Sequence, residues 1–193
     1  NALRGLGEAA RAQARASEAE RYYRQALEIY KSIDDHRGQA NALLGLGEAA
    51  QQQDRASEAE GYYRQALEIY TSIDDRLGQA NALLSLGEAA RQQEEYERAG
   101  VSLEGALELY LEIGLPSQTL QWSIVSGNGA LDDYSRLVRA GERVKADEAR
   151  KLAKTLYAWG LRAAAQLQGT EEARSLLEHF AAFQRRLLDL GLE

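Results

Sequence analysis

The sequence predicts an all-α chain of stacked antiparallel helix pairs, a solenoid finished at its C-terminal end by a helical cap. Three observations predict it. A unit of 40 residues recurs: residues 1–40 and 41–80 align without gaps at 32 of 40 identities, and residues 81–120 share 17 of 40 with the second copy. Inside every copy, two stretches of helical apolar period flank a polar turn, which is how a helix hairpin stacked on its neighbours is written. The composition agrees, with a single Pro and abundant Ala, Leu, Glu, Gln and Arg, a mixture that favours helix nearly everywhere.

The elements follow in order. In the first half of each copy Leu3, Leu6, Gly7 and Ala10 recur at i, i+3, i+4, i+7, as do Leu43, Leu46, Gly47, Ala50 and Leu83, Leu86, Gly87, Ala90. Each set is one apolar stripe on a helix. The second half opens on Ser17-Glu18-Ala19-Glu20 and again on Ser57-Glu58-Ala59-Glu60, the pattern of a capping box. Behind these come Ala19, Tyr23, Ala26 and Ile29, or Ala59, Tyr63, Ala66 and Ile69. Between copies, Asp34-Asp35 and Asp74-Asp75 stand where carboxylates cap the next helix and favour its dipole. A metal is the other reading of these pairs, but a calcium loop needs several more oxygen ligands at set spacing.

These residues resemble the tetratricopeptide repeat (TPR). That family's first helix carries a large residue, then Leu-Gly, then another bulky position, and its second helix carries Ala, an aromatic, then Ala. Leu3, Leu6-Gly7, Ala10, Ala19, Tyr23 and Ala26 fall on those positions. So do Leu43, Leu46-Gly47, Ala50, Ala59, Tyr63 and Ala66, then Leu83, Leu86-Gly87, Ala90, Ala99, Leu103 and Ala106, with Tyr96 added at the turn. The family's Trp and Tyr in the first helix are Leu and Ala here, its closing Pro is missing, and the period is 40 rather than the common 34. Long repeats of this kind are similar to those of kinesin light chains and of large bacterial signalling ATPases. The resemblance implies a right-handed superhelix, with Gly and Ala letting the paired helices approach closely. It covers residues 1–113, and the expected organisation is three repeats over 1–120 (1–40, 41–80, 81–120).

Residues 121–193 are expected to hold a degenerate fourth repeat and a C-terminal hairpin. Gly114-Leu115-Pro116-Ser117 is a stop and restart, and residues 117–126 begin another helix. Gly127-Asn128-Gly129 is expected to interrupt it as a turn, because no strand precedes the glycines and no Lys-Ser/Thr follows them, as a phosphate loop requires. A short amphipathic helix then runs over 130–140 through Leu131, Tyr134 and Leu137. Asp147 caps a helix carrying Leu152, Leu156, Trp159, Ala163 and Leu167. Gly169-Thr170 breaks it, and Leu176, Phe180, Phe183 and Leu187 mark the last helix. Such a hairpin either covers the open end of the stack, as terminal repeats must, or offers its stripe to a homodimer.

The resemblance also implies a site, since the first helix of each repeat lines the concave groove in this family. The stripe beside the buried one reads Asn1, Arg4, Glu8, Arg11; then Asn41, Leu44, Glu48, Gln51; then Asn81, Leu84, Glu88, Arg91. A row of Asn side chains can pair with the backbone of an extended peptide without reading its sequence. A row of Glu favours Lys or Arg in that peptide, and Leu44 and Leu84 supply apolar contact. Recent duplication alone accounts for the agreement between the first two copies. The third copy has diverged widely yet keeps Asn81 and Glu88, which points to a role. The carboxylate clamp of some relatives needs Lys, Asn and Arg on this face, and only parts of it are present.

Other function classes fare worse. The net charge of −7 opposes nucleic acid and anionic membrane partners, and no apolar run approaches the ~20 residues of a membrane span. Cysteine is absent, so disulfides and thiolate metal sites are excluded, in keeping with a cytoplasmic setting. The two histidines, His36 and His179, lack a nucleophile or metal-ligand partner at helical spacing, and Arg76 replaces His36 in the second copy. No enzyme, cofactor or metal is expected. The chain opens on Asn1 with helical pattern already running, which reads as a piece of a longer protein. The expected function is a scaffold binding protein or extended peptide. The alternative is a structural or regulatory self-assembly arm of a larger bacterial signalling protein.

Overall fold

The computed structural model describes residues 2–13, 15–167 and 171–192. Among these, every regular element is a helix: α1 Ala2–Ala12, α2 Ala16–Ser32, α3 His36–Gln51, α4 Ala56–Ser72, α5 Arg76–Gln92, α6 Tyr96–Glu112, α7 Pro116–Ala140, α8 Arg143–Gln166 and α9 Glu171–Asp189. None is long and apolar enough to cross a membrane. The chain forms two compact units, Asn1–Ala89 and Ala90–Glu193, so its fold is all-α and made of stacked helix pairs.

In the first unit α1 packs on α2, α2 on α3 and α3 on α4. The turns share one geometry. Asp34, Asp54 and Asp74 adopt φ of 55°, 57° and 52°, the left-handed conformation that Asp tolerates better than most residues. In the turn after α2, the N–H of Asp35 returns to the Tyr30 carbonyl at 2.9 Å, satisfying an orphan carbonyl of that helix. The Asp35 carboxylate then accepts from the Gly38 N–H at 2.8 Å, and Asp75 does the same for Gly78 at 3.0 Å. The inter-repeat aspartates therefore cap the next helix, as the sequence indicates.

The capping boxes do not form. The N-caps of α2 and α4 are Arg15 and Arg55, without any side-chain cap bond, so Ser17 and Ser57 fall inside the first turn. Glu20 faces away from its own helix end. It accepts from Gln53 at 3.1 Å and Arg55 at 2.5 Å, and pairs with Arg24 at 2.5 Å. A bond across repeats has replaced a local one, because the turn between α3 and α4 comes within reach of α2.

The core of this unit holds Tyr23, Tyr30, Leu43, Leu46 and Tyr70 among a ring of alanines. Burying each Leu contributes roughly 1.5–3 kcal/mol. The Tyr23 ring fills the space above Gly7 of α1 and Gly45 of α3: a Cβ on either would lie 2.7 or 2.5 Å from its Cε1. The glycine of Leu-Gly thus makes room for an aromatic ring, a sharper role than backbone approach alone. The stripe of α1 is less buried than its copy in α3, with Leu6 49% exposed against 1% for Leu46.

In the second unit α7 packs along α8, α6 contacts both, and α9 lies on α7 and α8. Gly114 takes φ 76° and Pro116 begins α7, the expected stop and restart. The expected turn at Gly127-Asn128-Gly129 is absent, and the helix expected over 130–140 is the continuation of α7. Packing explains the glycines: a Cβ at Gly127 would sit 2.3 Å from Phe183 Cζ, and one at Gly129 2.9 Å from the Arg91 guanidinium carbon. Arg186 of α9 adds bonds to Asn128 Oδ1 at 2.5 Å and Asp132 at 2.6 Å. Neighbouring helices thus hold the glycine-weakened segment helical.

Helix α8 starts at Arg143, ahead of the expected cap; Asp147 lies inside it and pairs with Lys151 at 3.2 Å. The expected break at Gly169-Thr170 lies outside the described residues. The stripe of α9 faces inward: Phe180, Phe183 and Leu187 are buried, and Phe180 stacks on Tyr157 at 5.1 Å. The stripe therefore packs on α7 and α8 of its own unit.

Candidate peptide-binding face

In the first unit, the residues singled out on α1 and α3 form a connected face. Along α1, Arg4 pairs with Glu8 at 3.6 Å, one helical turn apart. Arg11 reaches across to Glu48 of α3 at 3.1 Å. Burial pushes the Glu48 carboxyl above its usual range; Arg11 opposes the shift and Glu8 adds to it. Two carboxylates, Glu8 and Glu48, and two guanidiniums, Arg4 and Arg11, therefore share a half-exposed patch.

Tyrosines from the second helices support this face from below. The Tyr70 hydroxyl donates to Asn41 Oδ1 at 2.9 Å, and the Tyr63 hydroxyl to Gln51 Oε1 at 2.8 Å. Burial raises both phenols far above their ordinary value, so they stay protonated and remain donors. The Asn41 oxygen is held by Tyr70, which turns the amide N–H pair away from that bond. Tyr23 is raised too, chiefly by burial; Arg11 opposes the shift, and Glu48 and Glu8 add to it.

These tyrosine hydroxyls, bonded to two of the candidate residues, are what reading the sequence for a groove stripe missed. The signal was present in their chemistry. A Tyr at a core position usually finds a partner for its hydroxyl, and Tyr23/Tyr30 and Tyr63/Tyr70 repeat at the same places where Phe would pack as well.

The remaining candidates are placed differently. Leu44 is half-buried and packs against the core clusters on both sides of α3. Leu84 is buried, 7% exposed, and is not offered to a ligand. Asn81 is exposed, its carbonyl accepting from Ser85 at 3.1 Å, and Glu88 is half-buried. Arg91 belongs to the second unit, where it binds Asp133 of α7 at 2.6 Å. Asn1 lies outside the described residues.

Comparison with known proteins bears on the chain as a whole. The family profile described as tetratricopeptide repeat matches residues 1–72 and, in a second register, residues 38–112, together more than half of the chain. No curated protein matches it.

Proposed function

The chain belongs to the tetratricopeptide repeat family, whose repeats mediate protein–protein interaction, and from that premise we propose that it binds an extended peptide on the face built from α1 and α3. The observation that carries this reading is the Tyr70–Asn41 bond. Its donor is buried and stays protonated, so the Asn41 amide is oriented before any ligand arrives, and an oriented donor loses less entropy on binding a backbone carbonyl. Glu8 and Glu48 are the carboxylates that a Lys or Arg of the peptide would engage in exchange for Arg4 and Arg11, and Leu44 supplies a half-buried apolar contact. Binding, not catalysis, is the role. We read α7 and α8 as a lengthened fourth hairpin and α9 as its cap.

The test is to select peptides from a displayed random library and measure their affinity by fluorescence anisotropy. Asn41→Ala and Glu48→Gln should each weaken the selected peptides by fivefold or more. Tyr70→Phe should weaken them by a smaller factor, and the monomer mass should stay constant in all three. Arg64→Ala, on the exposed face of α4, should change nothing. Equal affinity for all variants, or equal loss with Arg64→Ala, would remove the site from this face.

A further inference from the structure

A second opening lies in the other unit. Between α6 and α8 the surface sinks into a cleft of about 420 Å³, lined among others by Gly100, Val101, Leu152 and Thr155. Its floor and one wall are apolar: Leu152 is buried, whereas Val101 is 72% exposed at the edge. Its rim carries Glu97, Glu104 and Glu148. None of the three has a cationic partner among the described residues, whereas Glu94 and Asp133 of the same unit are ion-paired. Glu104 accepts only the Trp159 indole N–H, at 3.4 Å. The one cation of the lining, Lys151, pairs with Asp147 at 3.2 Å.

The repeat shows how the opening arises. Gly100 occupies the register of Glu20 and Glu60, whose side chains pair with Arg24 and Arg64, each at 2.5 Å. In the third copy both members of that pair are gone, since Glu104 stands where Arg24 and Arg64 stood. A Cβ added at Gly100 would meet only Leu152 Cδ1, at an ordinary 3.7 Å. The packing of α6 on α8 therefore does not need a glycine there, and the missing side chain leaves space that nothing else fills.

We propose that this cleft is a docking site for a segment of a partner protein that presents an Arg or Lys beside an apolar side chain. Charge complementarity decides the occupant: three uncompensated carboxylates around an apolar floor attract a guanidinium or ammonium whose neighbouring side chain covers Val101 and Leu152. An acidic or purely apolar segment would leave those carboxylates desolvated without a partner.

Trp159 reports on Glu104. The experiment titrates the full chain, with Trp122→Phe to isolate that signal, with twelve-residue peptides carrying one Leu–Arg pair or the matching Leu–Glu pair. Two-dimensional ¹H–¹⁵N spectra map the contact. Saturable shifts at Gly100, Val101 and Thr155 with the Arg peptide, and none with the Glu peptide, are expected. Glu104→Gln with Glu148→Gln should weaken binding at least fivefold. Gly100→Met should abolish it by filling the cleft while the helix keeps or gains stability, because Gly is a poor helix former. Shifts around Asn41 and Glu48 alone would assign the peptide to the first unit and overturn this site. So would equal binding of the two peptides, no binding, or unaltered affinity in Gly100→Met.

Discussion

The ring of Tyr23 occupies the space into which a side chain at Gly45 would project: a Cβ there would lie 2.5 Å from Cε1 and Cζ of the ring. The contact joins the second helix of one repeat to the first helix of the next. Gly45→Ala should therefore cost about 1–3 kcal/mol, the usual range for overpacking a filled core. Gly61→Ala, in the middle of α4 with nothing within 4 Å, should instead stabilise by about 0.5–1 kcal/mol through helix propensity. Urea denaturation of the two variants checks both signs, and a shared sign would mean that the ring does not occupy this space.

The caps offer a second contrast. Asp75 bonds the Gly78 N–H, whereas Ser57 makes no cap bond. Asp75→Ala should lower stability by roughly 1 kcal/mol, as the loss of an N-cap does. Ser57→Ala should leave thermal melting within experimental error. A larger loss from Ser57→Ala would restore the capping box.

Glu20 ties two repeats together and should make the first unit acid-sensitive. Burial alone would raise its pKa, but the bonds from Gln53 and Arg55 and the charges of Arg24 and Arg55 prevail and hold it below the usual value of 4.5. A depressed folded-state pKa means stability that is present above the unfolded value and is lost as pH falls through the folded one. Glu20→Gln should be less stable than the parent at pH 7, and the two melting curves should converge below pH 4.5. A gap that persisted in acid would point to lost packing instead of lost charge.

Glu48 carries the opposite sign. Its pKa is raised from 4.5, chiefly by burial, so its ionisation opposes folding. That contribution to stability is fully present below 4.5 and is lost as pH rises through the folded-state pKa. Glu48→Gln should match or exceed the parent in melting temperature at pH 7 while losing affinity for basic peptides. Conversely, destabilisation at neutral pH would show that the Arg11 pair outweighs the burial. A site residue whose removal helps the fold is what a binding role predicts.

Sequence by itself determined the periodic features. Stripes of Leu, Gly and Ala at helical spacing specify the helices, the 40-residue repeat specifies the pairing of neighbours, and Asp35 and Asp75 specify the caps, because each depends on residues close in the chain. The candidate face was legible as a row of positions, but not as an arrangement. Nothing in the row says that Tyr70 reaches Asn41 or that Arg11 crosses to Glu48, since both partners come from other helices.

Tertiary structure decided where one local pattern takes two fates. Gly5 and Gly45 sit in matching positions of repeats identical at 32 of 40 residues, yet only Gly45 meets a ring. Leu6 is half exposed where Leu46 is buried. Gly127 and Gly129 carry the local chemistry of a turn, but the Phe183 ring and the Arg91 guanidinium pack against them and the helix runs on. Packing between helices is worth more than the ~1 kcal/mol that a glycine costs a helix, and it is set by neighbours that no local pattern contains.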